Sequence, residues 1–129
     1  MAWTKTAWTD LIGTDASKTN LAAGSSATGD IDCNETNPYI VVAVKVVVVF
    51  GGTPDGDVKV EFFGVDADGA NEPDTLAVFA ATIPYSASSE ERATYQINVS
   101  ALDTLRVEVT NQDSSDAVSV WVSYMAAYQ

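Results

Sequence analysis

Residues 39–50 read Tyr-Ile-Val-Val-Ala-Val-Lys-Val-Val-Val-Val-Phe, and no other stretch constrains the fold as tightly. Seven of these twelve residues are Val. β-Branched side chains are stiff at χ1 and fit a pleated surface, so the run reads as a strand. It is broken by Lys45 and falls short of the roughly 20 apolar residues a membrane-spanning helix needs. Alternation puts Ile40, Val42, Val44, Val46, Val48 and Phe50 on one side. Val41, Ala43, Lys45, Val47 and Val49 then point the other way. A strand of a two-layer sandwich ordinarily turns polar residues outward. Here both sides are apolar. Either the strand is central and its outer side is covered by a loop or the N-terminal segment, or that side is a subunit contact. Trp121 points away from Val120 and Val122 and joins the same second face. The expected interface residues are therefore Val41, Val47, Val49 and Trp121, buried between copies of the chain, most simply in a trimer.

The rest of the chain repeats the strand signal. It has 17 Val and 13 Thr against 5 Leu, so Leu-rich amphipathic helices are missing. Strands are expected over residues 3–12, 21–33, 39–50, 57–65, 75–84, 92–99, 103–110 and 117–128. Tyr95, Ile97 and Val99 share a face, as do Leu105, Val107 and Val109, and Val118, Val120, Val122 and Tyr124. Gly51-Gly52-Thr53-Pro54-Asp55-Gly56 is a strong turn signal and is expected to join its flanking strands as a hairpin. A short helical turn at residues 88–92 is the only helical candidate. At 129 residues the chain is one domain, residues 1–129, with residues 1–20 an N-terminal arm or edge strand. The expected fold is an all-β antiparallel sandwich or jelly roll of about eight strands.

Composition excludes much chemistry. The chain has no His, which removes the usual general base and the commonest zinc ligand. Its one cysteine, Cys33, has no intrachain partner and no base to form a thiolate, so it reads as a small packing residue. A net charge of −12 disfavours nucleic acid, whose phosphates need Lys and Arg. Asp55 and Asp57, or Asp113 and Asp116, could pair as glycosidase carboxylates, but none sits in an apolar context that would raise a pKa. No enzyme and no cofactor are expected. Asp66, Asp68, Asn71, Glu72 and Asp74 offer oxygen ligands and form a weak calcium candidate. Their Gly69 comes too early for a helix-flanked calcium loop, so a solvated turn is the simpler reading. Trp3, Trp8, Trp121 and the tyrosines could stack on sugars or serve as core and interface anchors. The N-terminus carries no leader pattern and no membrane association is expected; an acidic chain with no disulfide suits synthesis in a cytosol.

Residues 52–57 (Gly-Thr-Pro-Asp-Gly-Asp), 58–63 (Val-Lys-Val-Glu-Phe-Phe), the Asp68-Gly69 turn leading to Asp74-Thr75, residues 105–111 and the strand from Val118 to Tyr124 form one pattern. This pattern resembles small β-sandwich virion proteins of tailed bacteriophages. The resemblance implies a structural component of the virion without catalytic residues, most plausibly a capsid decoration or cement protein or a head-fibre base. Its partners would be further copies of itself and the major capsid protein or other virion proteins. A tail, fibre or receptor-binding module, or a carbohydrate-binding β-sandwich, is the alternative.

Overall fold

Ten antiparallel strands make up two facing sheets in the computed structural model, which describes residues 3–35, 37–65 and 76–129. They are β1 (Thr4–Lys5), β2 (Thr9–Ile12), β3 (Thr19–Leu21), β4 (Ser26–Asp32), β5 (Val41–Val49), β6 (Val58–Val65), β7 (Phe79–Ile83), β8 (Glu90–Asn98), β9 (Thr104–Asn111) and β10 (Val118–Tyr128). The first sheet runs β1-β10-β5-β8, and β2 and β3 also pair with β10. The second runs β4-β9-β6-β7. If β1, β2 and β3 count as one broken edge strand, the sandwich has eight strand positions, as a jelly roll does.

The inward residues explain why these segments are strands. Val42, Val44, Val46 and Val48 of β5, Val120 and Val122 of β10, and Leu105, Val107 and Val109 of β9 are completely buried. Val58, Val60 and Phe62 of β6 complete the layer. Each set follows the two-residue period, so one register buries every member and a one-residue slip would expose them all. Phe62, Phe79 and Tyr95 meet edge-on or tilted at centroid distances of 5.7–5.9 Å where β7 approaches β8.

Three local expectations are corrected. Residues 39–50 and 57–65 do not form a hairpin: β5 lies between β10 and β8, whereas β6 lies between β9 and β7. The loop that joins them crosses between the sheets. Gly51 accepts from the Ser88 amide at 2.7 Å at one end, and the Asp57 carbonyl accepts from the Gln112 amide at 3.0 Å at the other. Residues 3–12 are not one strand. They break between β1 and β2, where Thr6 donates its amide to the Ala126 carbonyl and accepts from the Ala126 amide through Oγ1, both at 2.9 Å. The turn near residue 88 covers only Ala87 and Ser88, the latter at φ 54°, and pairing resumes by Glu90.

Gly29 has a specific task. A Cβ there would come within 2.6 Å of the Leu11 side chain, so its absence lets β2 close over β4 and seal one side of the sandwich.

Candidate functional site: the outer face of the six-stranded sheet

The two outer faces differ in kind. On the four-stranded sheet the outer residues are mostly charged, including Lys59, Glu61, Arg106, Glu108 and Asp30, with Phe63 and Ala80 among them. Arg106 binds Asp30 through two parallel bonds of 2.7 and 2.9 Å. On the six-stranded sheet β5 turns Val41, Ala43, Val47 and Val49 outward, with one polar row at Lys45 between them. Val41 lies between Ala127 and Asn98, Ala43 between Met125 and Gln96, and Lys45 between Ser123 and Thr94. Val47 lies between Trp121 and Arg92, and Val49 between Ser119 and Glu90.

Two of the three tryptophans, Trp8 and Trp121, lie on this face. Trp121 stands on β10 beside Val47 and donates its indole Nε1–H to Asp10 Oδ1 at 2.8 Å. Trp8 leaves the edge between β1 and β2 and lies over the sheet, with Lys45 Nζ 4.6 Å from its ring centroid. The same ammonium is 5.7 Å from the Trp121 ring. Trp3 precedes β1 and is exposed, and Lys5 lies opposite the outward Ala127. Contacts between a cation and a ring are worth about 0.5–1 kcal/mol at exposed sites and more when dry. Together they pin the N-terminal arm across one end of the face. At the other end Lys5, Val41, Ala43, Gln96, Met125 and Ala127 surround a shallow depression of about 110 Å³.

The four expected interface residues therefore share one surface, but not on equal terms. Val41, Val49 and Trp121 are half-buried. Val47 is only 1% exposed within the single chain, so it supports the face from beneath and offers no contact area of its own. Of the two accounts of the second apolar side, the structure shows the covering in part. The strand is central, and the N-terminal segment covers some of it through Trp8, while the stretch from Val41 to Met125 stays partly open.

The other candidates are placed as follows. Cys33 follows the end of β4, is buried, and points its thiol toward the Ile31 carbonyl. Burial, followed by the nearby Asp32 and Asp103 charges, pushes it up to about 11 despite a backbone hydrogen bond from Leu105. Asp55, Asp113 and Asp116, assigned to separate turns in the sequence, meet across two loops. Asp113 accepts the amides of Asp55, Ser115 and Asp116 at 2.7–2.9 Å, and Asp55 accepts the Ser114 amide at 2.9 Å and the Ser114 hydroxyl. Amides of Asp116, Ser115 and Asp55 hold the Asp113 carboxyl well below the usual carboxylate range. A general acid needs the opposite shift. The cluster ties the 51–57 crossover to the β9–β10 turn. Sequence reasoning missed it because the two loops are 58 residues apart. The calcium candidates Asp66, Asp68, Asn71, Glu72 and Asp74 lie outside the described residues. Among the described residues, no three metal-binding side chains converge.

No protein-family model and no curated protein sequence matches the chain. Solved structures share its fold. The SPBc2 prophage-derived protein YomS is similar over 99% of this chain and 96% of its own, with TM-score 0.55 and 15% identity. Infectious bursal disease virus VP2, from a subviral particle, is similar over 99% of this chain and 32% of its own, with TM-score 0.50 and 8% identity. A family GH115 4-O-methyl-α-glucuronidase is similar over 96% of this chain and 16% of its own, with TM-score 0.50 and 9% identity.

Proposed function

We propose that the chain is a non-enzymatic structural protein of a phage particle, assembled in the host cytoplasm, that self-associates and docks through the outer face of its six-stranded sheet. Capsid decoration or cementing is the role we assign it. The observation that carries this reading is the face itself: Trp8 and Trp121, together with Val41, Ala43, Val49 and Met125, on one wall of an acidic chain. Aromatic residues and Met are enriched at protein contacts, and contiguous apolar patches mark interfaces. The prophage origin of YomS, whose fold matches end to end, supports a phage setting, and the particle-forming VP2 supports an assembling one.

The experiment has two arms. Light scattering of the purified protein should give an oligomer, most simply a trimer of a 13.6 kDa chain, and Val41→Asp should reduce it to a folded monomer. Phage particles made without the protein should rupture at lower temperature, with stability restored by adding it back. Particles of unchanged head stability, with the protein found on the tail, would replace the head role with a tail or fibre one.

A second reading, a carbohydrate-binding module, draws on the exposed rings of Trp3 and Trp8. Saturable glycan binding by the monomer, abolished by Trp3→Ala, would favour it.

A further inference from the structure

We infer that the polypeptide docking on the outer face of the six-stranded sheet is an acidic one: it sets a carboxylate on Lys45, beside the Trp8 and Trp121 rings, and an aliphatic side chain in the neighbouring depression. This rests on the docking reading above and names the chemistry of the occupant, a segment of another virion protein.

Three observations converge on it. First, the unpaired cations stand here. Acidic residues outnumber basic ones 18 to 6, yet Lys5 and Lys45 have no ion pair among the described residues, whereas the other four basic side chains each hold one. Lys5 lies opposite Ala127 and Lys45 opposite Ser123, both on this face. Second, the Lys45 ammonium is placed to receive an anion. It lies 4.6 Å from the Trp8 ring centroid and 5.7 Å from that of Trp121. A ring face attracts the charge but offers no lone pair in the manner of an oxygen, and the ammonium carries three N–H donors. Those donors meet no acceptor among the described residues. A carboxylate would fill them with charge-assisted bonds, about twice as strong as neutral ones. Third, an apolar depression adjoins the cation. Lys5, Val41, Ala43 and Met125 line it, and Ala43 is two residues from Lys45, about 7 Å along β5. At about 110 Å³ it falls short of the roughly 300 Å³ or more of a small-molecule site and suits one aliphatic side chain.

Residues two apart in an extended segment share a side and are spaced by the same ~7 Å. One such segment can therefore seat a carboxylate on Lys45 and an aliphatic group in the depression. An acidic glycan or a nucleic acid brings the charge without the aliphatic side chain. A second copy presenting this same face brings no free carboxylate, because Asp10 accepts from the Trp121 indole and Glu90 is paired with Arg92. The anion therefore comes from a different protein.

A capped peptide, Gly-Glu-Thr-Leu-Thr-Glu-Gly, offers the spacing in either chain direction and tests the chemistry by calorimetry and tryptophan emission. It should bind the purified protein saturably, and more weakly as salt is added. Replacing both its Glu by Gln, or changing Lys45→Gln in the protein, should weaken binding about tenfold. Lys45→Met, which keeps an apolar stem over the rings, serves as a second variant, and circular dichroism confirms that each one folds. No binding by the wild type at millimolar peptide, or an affinity indifferent to both changes, would overturn the inference. Oligoglucuronate binding as tightly as the peptide would make the ligand an acidic glycan, and a fall in the protein's own molar mass on Lys45→Gln would make it a second copy; either result overturns the partner named here. Add-back to phage particles separates this inference from the docking reading, and both Lys45→Gln and Val41→Asp should bind them poorly. Particles that retain Lys45→Gln but lose Val41→Asp would overturn the carboxylate contact and leave docking through the face intact. Particles that retain both would remove the docking reading itself.

Discussion

Val47 separates folding from assembly. It lies on the outer side of β5, yet it is 1% exposed within one chain, between Trp121 and Arg92. Val47→Ala deletes two methyl groups, a loss of about 1.6 kcal/mol at ~0.8 kcal/mol per buried carbon. Incomplete closure of the gap raises this to about 2–3 kcal/mol. For a chain of this length each kcal/mol lowers Tm by about 4 °C, so Tm should fall by about 8–12 °C. In guanidinium titrations followed by circular dichroism, the midpoint should drop with an unchanged slope. The drop should be the same at all protein concentrations, since the lost contacts are intrachain. Val41→Ala, on the same strand but half-buried, should lose under ~1 kcal/mol of stability and act mainly on assembly. Val47→Asp should unfold the chain, because an unpaired carboxylate would be buried in the folded monomer. A stable, monomeric Val47→Asp protein would refute this account and return Val47 to the intersubunit surface.

Other outcomes follow from single contacts. Gly29→Val should destabilise by about 1–3 kcal/mol, because the new Cβ meets Leu11 at 2.6 Å, and Leu11→Ala in the same chain should recover part of the loss in thermal melts. Asp113→Asn should lower Tm at neutral pH, since an amide group then faces backbone N–H donors. The wild-type carboxyl is depressed in the folded state, so its contribution is full above roughly pH 4 and is lost as pH falls toward the folded value. The Tm gap between the two proteins should therefore narrow on acidification; a gap that widens would contradict the assignment. The Cys33 thiol, buried and pushed up to about 11, should resist thiol reagents at pH 8 until denaturant is added. Rapid labelling of the folded protein would show that the site opens.

The strands with a clean two-residue period were legible in the sequence. Leu105, Val107 and Val109, and Val118, Val120 and Val122, point inward as alternation dictates, because burial on one face fixes register. Pairing partners were not legible. The Gly-Pro-Asp turn signal at residues 51–56 marks a reversal of direction, but hydrogen bonds to Ser88 and Gln112 decide which sheet each flank joins. Those partners are dozens of residues away. β3 escaped because only Leu21 of its three residues is apolar, and β10 supplies the rest of the reason to extend. The candidate face was half legible. Lys45 among valines and Trp121 opposite Val120 gave its centre. The arrival of Trp8 from the arm over Lys45 depends on a break at residues 6–8 that no local pattern announces. That same arrival, with Trp121 beside it, is why Val47 is already covered.

The most direct test uses the tryptophans, since Trp8 and Trp121 stand on the proposed contact face. Acrylamide quenching of their emission should be measured across a dilution series in parallel with molar mass. Assembly through this face predicts that quenching rises and emission shifts to the red in step with the fall in mass. A mass that falls on dilution while tryptophan quenching stays constant would place the contact elsewhere on the sandwich and contradict the account.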